Sequence, residues 1–118
     1  AESVPSIESS RELLAQGDAF FYHHEYQHAM IVAYEAAAAA ARVPLYQRLV
    51  DPFTDDEALW EFENLFVLSG QTLGEWQHLY SRFIELRTYD PIDSSARKLL
   101  TEARSFVDYC ERFVPPSS

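Results

Sequence analysis

His24-Glu25-Tyr26-Gln27-His28 has the spacing H-E-x-x-H. On a helix, this spacing places two imidazoles on one face, where they can hold Zn²⁺, and the glutamate between them can activate a metal-bound water. A catalytic zinc needs a third protein ligand. The next histidine is His78, and Glu35, Glu57, Glu61 and Glu63 stand in no ligand motif. The pattern also falls where a helix should begin, so His24 is expected in the preceding turn. Two readings follow: a small zinc hydrolase using His24, Glu25 and His28, or solvated side chains at a helical hairpin. The second is preferred, with no metal and no cofactor.

Other reactive arrangements are missing from the sequence. The serines are scattered over termini and turns, with no G-x-S-x-G, and no glycine-rich loop could cradle a phosphate. Cys110 is the only cysteine, which excludes an intrachain disulfide. Its neighbours Phe106, Val107 and Phe113 make it a core thiol rather than a nucleophile. Asp55/Asp56 and Glu61/Glu63 are accounted for by helix capping and by solvated faces.

Bulk properties narrow the class. The 118 residues match one domain, and 47% hydrophobic content supplies a real core. Nineteen acidic against nine basic residues leave a net charge of −10, and Lys98 is the only lysine. Such a surface repels phosphates, which argues against nucleic acid and against an anionic membrane. The longest apolar run, Ala36 to Ala41, is too short to span a bilayer, and no signal peptide is visible. A cytoplasmic protein is expected. Residues 1–5 and 115–118 read as linkers or frayed ends around a domain at 6–114. The opening Ala1-Glu2-Ser3 fits either a domain excised from a longer protein or loss of an initiator Met.

Helical spacing runs nearly throughout, and strand alternation is absent. The first helix is expected from Ile7 to Tyr22 with Ser6 as N-cap; Gly17 inside it implies close approach of a neighbour. The second runs from Glu25 to Leu49 and carries the stripe Tyr26, Ala29, Met30, Ala33, Ala37, Ala40 and Ala41. It is thin enough to lie at the centre, and Pro44 should kink or end it near Arg42. The third opens with the capping box Thr54-Asp55-Asp56-Glu57, shows Leu59, Phe62, Leu65 and Phe66, and stops at a left-handed Gly70. A second box, Thr72-Leu73-Gly74-Glu75, precedes Trp76, Leu79, Tyr80, Phe83 and Leu86. Asp93 is the expected cap of the fifth helix, whose stripe is Ala96, Leu99, Leu100, Ala103, Phe106, Val107, Cys110 and Val114. Short connections imply an all-α, up-and-down bundle of about five helices.

Aromatic residues crowd the third and fourth helices. Trp60 lies one residue past Leu59 and so points off its helix's apolar stripe. It either anchors an interface, as Trp76, Tyr80 and Tyr89 also could, or covers the Pro52-Phe53 loop. Glu61 and Glu63 would form a soluble rim.

Leu14, Gly17, Phe20, Ala29 and Ala36 fall near the consensus of a single tetratricopeptide repeat, but the second half does not repeat the pattern. Over residues 8 to 113 the chain resembles a HEPN domain. The resemblance rests on Leu13-Leu14-Ala15-Gln16-Gly17-Asp18, on Tyr34-Glu35-Ala36-Ala37 in an alanine-rich second helix, on Arg87-Thr88-Tyr89-Asp90-Pro91, and on Ala96, Leu100 and Ala103 in the last helix. Many HEPN domains are ribonucleases with an Arg followed about five to seven positions later by a His. No Arg stands so before His23, His24, His28 or His78. The resemblance therefore implies a non-catalytic member, a dimerisation or docking module for a protein partner. Some such members are similar to appendages of siroheme-dependent nitrite and sulfite reductases. A HEPN ribonuclease toxin, or its acidic regulator, is the remaining alternative.

Overall fold

Helix starts are set by side chains that accept the first unpaired backbone N–H groups. Ser6 Oγ accepts from Ser9 N at 3.2 Å, and α1 follows at Ile7–Tyr22. Thr54 Oγ1 accepts from Glu57 N at 3.1 Å, and α3 follows at Asp55–Phe62. Glu57 completes this box by reaching back to Phe53 N, at 3.2 Å. The computed structural model describes residues 4–70 and 76–114. Among them the remaining helices are α2 (Tyr26–Gln47), α4 (Leu79–Arg87) and α5 (Asp93–Cys110), and no strand occurs. The chain is an all-α bundle. The Thr72–Glu75 box and the two chain ends lie outside the described residues.

The alanine helix is the centre of the bundle: α2 packs against α1, α3, α4 and α5. Ala29, Ala33, Ala36, Ala37, Ala38, Ala40 and Ala41 are all fully buried. They lie around most of the helix circumference, as a helix enclosed by neighbours requires. Because alanine adds so little to the helix radius, the surrounding backbones come close. At Gly17 on α1, a Cβ would stand 2.8 Å from Leu100 Cδ2 of α5 and 3.2 Å from Val32 Cγ2 of α2. The glycine is therefore where three helices meet.

Three expectations change. First, α2 neither ends nor breaks near Arg42: it continues through Pro44 to Gln47. Proline inside a helix costs about 3 kcal/mol. Val43, Pro44 and Leu45 are all buried here, and burying one Val or Leu side chain contributes about 1.5–3 kcal/mol, so packing offsets the lost bond. Second, α3 passes directly into a π-helical turn, Glu63–Val67, in which Leu68 N donates to Glu63 O at 2.9 Å. The wider turn places Phe62, Phe66 and Val67 in the core and leaves Leu65 half-buried. Phe62 and Phe66 then stack at 5.0 Å, and Phe62 meets Phe106 of α5 edge-on at the same distance. Third, Asp93 does not cap α5. It is the first helical residue, after Ile92, and pairs with Arg97 at 2.9 Å. The α5 stripe is otherwise as expected: Ala96, Leu99, Leu100, Ala103, Phe106, Val107 and Cys110 are buried, while Val114 is exposed beyond a short 3-10 turn, Glu111–Phe113. Gly70 has φ +84°, the left-handed conformation expected of it.

Filling the alanine face should therefore be costly. Ala37→Phe is expected to lower stability by about 1–3 kcal/mol, seen as a fall in Tm of several degrees, about 4 °C or more per kcal/mol. An unchanged Tm would remove α2 from the centre of the bundle.

Candidate docking surface

The H-E-x-x-H residues do not share a helical face. His24 has φ +62° and lies in the turn between α1 and α2; Glu25 is the residue before the helix, so of the two histidines only His28 is on α2. The Tyr26 hydroxyl stands 2.7 Å from His24 Nδ1 and engages that nitrogen. His28 stacks on Phe20 at 5.2 Å, with its Nδ1 3.7 Å from Glu25 Oε1. Among the described residues no group of three His, Cys, Asp or Glu side chains is placed to hold a metal. His78 is exposed, with φ +62°, at the start of α4.

The structure does gather a polar group that the sequence did not single out. Tyr34 of α2 is buried, and its hydroxyl donates a short hydrogen bond to Asp56 Oδ1 in the first turn of α3. Arg87, at the end of α4, donates from Nη1 to the same oxygen at 2.8 Å. Its guanidinium also lies 4.4 Å from the centre of the Tyr34 ring. Next to it, Arg42 donates to Pro52 O at 2.7 Å and to Asp55 Oδ1 at 3.3 Å. Three helices are thus joined at one carboxylate.

The electrostatics of this group suit holding rather than catalysis. The Tyr34 hydrogen bond, and then Arg87, keep the Asp56 carboxyl below its ordinary range, against the opposing effect of burial. Burial first, and then the bond to Asp56, push the Tyr34 hydroxyl well up. A phenol that stays protonated and a carboxylate that stays ionised exchange no proton near neutrality. Burial likewise raises the Cys110 thiol, so the nucleophilic thiolate is not formed.

Aromatic side chains flank the same group at the surface. Trp60 is 51% exposed and lines a cleft of about 280 Å³ with Asp56, Glu57 and half-buried Tyr80. On the other side of the Asp56–Arg87 pair, Tyr89, 42% exposed, lines a smaller cleft with Ile31, Met30 and Arg87. Trp76 does not belong to this surface. It is only 4% exposed and packs edge-on against Phe106 at 5.1 Å, so it is a core residue and not an interface candidate. Trp60 does not cover the Pro52-Phe53 loop as a lid would, since Phe53 is 92% exposed. Phe53 stands just before the Thr54 cap, where an apolar residue packs on the fourth helical residue when that residue is large. The fourth residue here is Ala58, which is fully buried. Phe53 therefore has no staple partner and joins Trp60 on the surface.

Compared with known proteins, the chain matches no family model, no curated protein and no solved structure. No helix among the described residues is long and apolar enough to cross a membrane.

Two measurements probe these assignments. Dialysed protein is expected to hold no stoichiometric zinc, with equal Tm in chelator and in added zinc; retained zinc with a peptidase activity lost in Glu25→Gln would overturn this. Tyr34→Phe removes one donor to a carboxylate whose side chain is 44% exposed. The expected loss is about 1 kcal/mol, the low end for a bond to a charged group. Because Asp56 has a lowered pKa when folded, this stabilisation is fully present above about pH 4 and is lost as pH falls through the lowered value. Urea midpoints of wild type and Tyr34→Phe should differ at about pH 7 and converge near pH 2. The same gap at both pH values would mean that the bond does not depend on the Asp56 charge.

Proposed function

We propose that this domain is a non-catalytic, HEPN-like helical module that docks onto a protein partner through the Phe53–Trp60–Tyr80–Tyr89 surface. The observation that carries this reading is Trp60, a half-exposed tryptophan beside a carboxylate already fixed by two donors. Tryptophan is prominent among residues that dominate binding energy, because docking removes a large rigid ring from water. A neighbouring polar group held in place beforehand loses little freedom on association. A heterologous partner suits the charge better than a second copy, since two chains of net charge −10 repel each other.

The test is selection of a random peptide library on the immobilised domain, followed by affinity measurement of the best binders. Trp60→Ala is expected to weaken them by about 2 kcal/mol, roughly 30-fold, with the far-ultraviolet circular dichroism unchanged. Binders indifferent to Trp60→Ala, Phe53→Ala and Tyr89→Ala would place docking elsewhere. Sedimentation of the wild type should show a monomer; a dimer lost in Trp60→Ala would instead make the surface a self-association site.

A further inference from the structure

The cleft between Trp60 and Tyr80 has a charge as well as a shape. Its lining is two aromatic rings and two carboxylates, Asp56 and Glu57. The cations nearby are committed elsewhere: Arg42 to Pro52 O and Asp55, Arg87 to Asp56 Oδ1 and the face of Tyr34. Both donors to Asp56 use Oδ1, so its Oδ2 has no hydrogen-bond partner among the described residues. Glu57 accepts a backbone N–H from Phe53 through Oε2 and has no ion pair among the described residues. Asp55 adds a third carboxylate in the same helical turn. An open aromatic notch with unneutralised carboxylates is complementary to a flat cation. A guanidinium stacks on tryptophan and binds carboxylate oxygens through its fixed fork of N–H groups.

Resting on the docking reading above, we propose that the partner is a basic segment that inserts an arginine side chain between Trp60 and Tyr80, against Asp56 and Glu57. The acidic surface would also speed its encounter with such a segment, in a salt-dependent way. Affinity would come from the exposed rings, and selection of the partner from the charge.

The experiment titrates the ¹⁵N-labelled domain with N-acetylarginine amide and, separately, with N-acetylcitrulline amide, which has nearly the same shape and no charge. The indole N–H of Trp60 reports the cleft, and that of buried Trp76 is the internal control. Additions up to roughly 50 mM cover the millimolar range expected of a single contact. The expected result is a saturable Trp60 shift with the arginine derivative alone, Trp76 unmoved. Glu57→Gln should weaken it by about threefold, within the range of an exposed ion pair; glutamine still serves the capping box, so the helix start is kept. Equal shifts with both derivatives would overturn the charge proposal and leave the docking reading intact. No Trp60 shift with either would also overturn it, while library binders that still need Trp60 would preserve the docking surface.

Discussion

How closely helices can approach α2 determines most of the architecture. Seven buried alanines leave the central helix with almost no side-chain radius, so its neighbours pack nearly backbone to backbone. The bulk that fills a core in other bundles must then come from the outer helices. Leu59, Phe62 and Phe66 supply it from the α3 side, Leu79 and Phe83 from α4, and Leu99, Phe106 and Val107 from α5. Gly17 belongs to the same constraint, since even one methyl group there meets Leu100 and Val32. A thin axis and heavy periphery also explain why aromatic rings gather around α3 and α4, and why some of them reach the surface.

A helix with so few side-chain atoms offers little for other elements to grip, and the polar group at Tyr34 compensates for this. It is the one large aromatic among the fully or nearly buried residues of α2, and its hydroxyl reaches Asp56 where α3 begins. Arg87 fastens the end of α4 to the same oxygen. The carboxylate that receives both donors also lines the cleft beside Trp60. Stability and surface shape are therefore coupled there: what holds α3 and α4 onto α2 also fixes the carboxylate at the floor of an aromatic notch.

Much of the fold was legible because it follows from local chemistry. Ser6 and Thr54 mark helix starts by hydrogen bonds within four residues, and the α5 stripe follows from 3.6-residue spacing alone. The centrality of α2 could be inferred from alanine because only an enclosed helix is apolar on nearly every side. What escaped depends on distant partners. Pro44 looks like a terminator until the burial of Val43 and Leu45 is known. Trp76 looks like a free aromatic until Phe106, thirty positions later, is brought against it. Asp56 was explained by its helix end, and nothing near it in the chain points to Tyr34 or Arg87. For the site, Trp60 and Tyr89 could be picked out as surface aromatics by their offset from the stripes. Phe53 could not, because its exposure follows from the small size of Ala58.

The π-helical turn at Glu63–Val67 also bears on how this chain tolerates change in length. A turn closed by i→i+5 bonds holds one residue more than an α-helical turn, so it behaves as an insertion absorbed in place. Deleting one residue within it would restore the tighter helix and roll everything after it by about 100°. The ring of Phe66 would then leave its stack on Phe62, and Val67 would turn toward solvent. The segment is thus a record of register: the α3 side of the core is matched to a specific residue count, and a length polymorphism there would be read by the protein as a rotation.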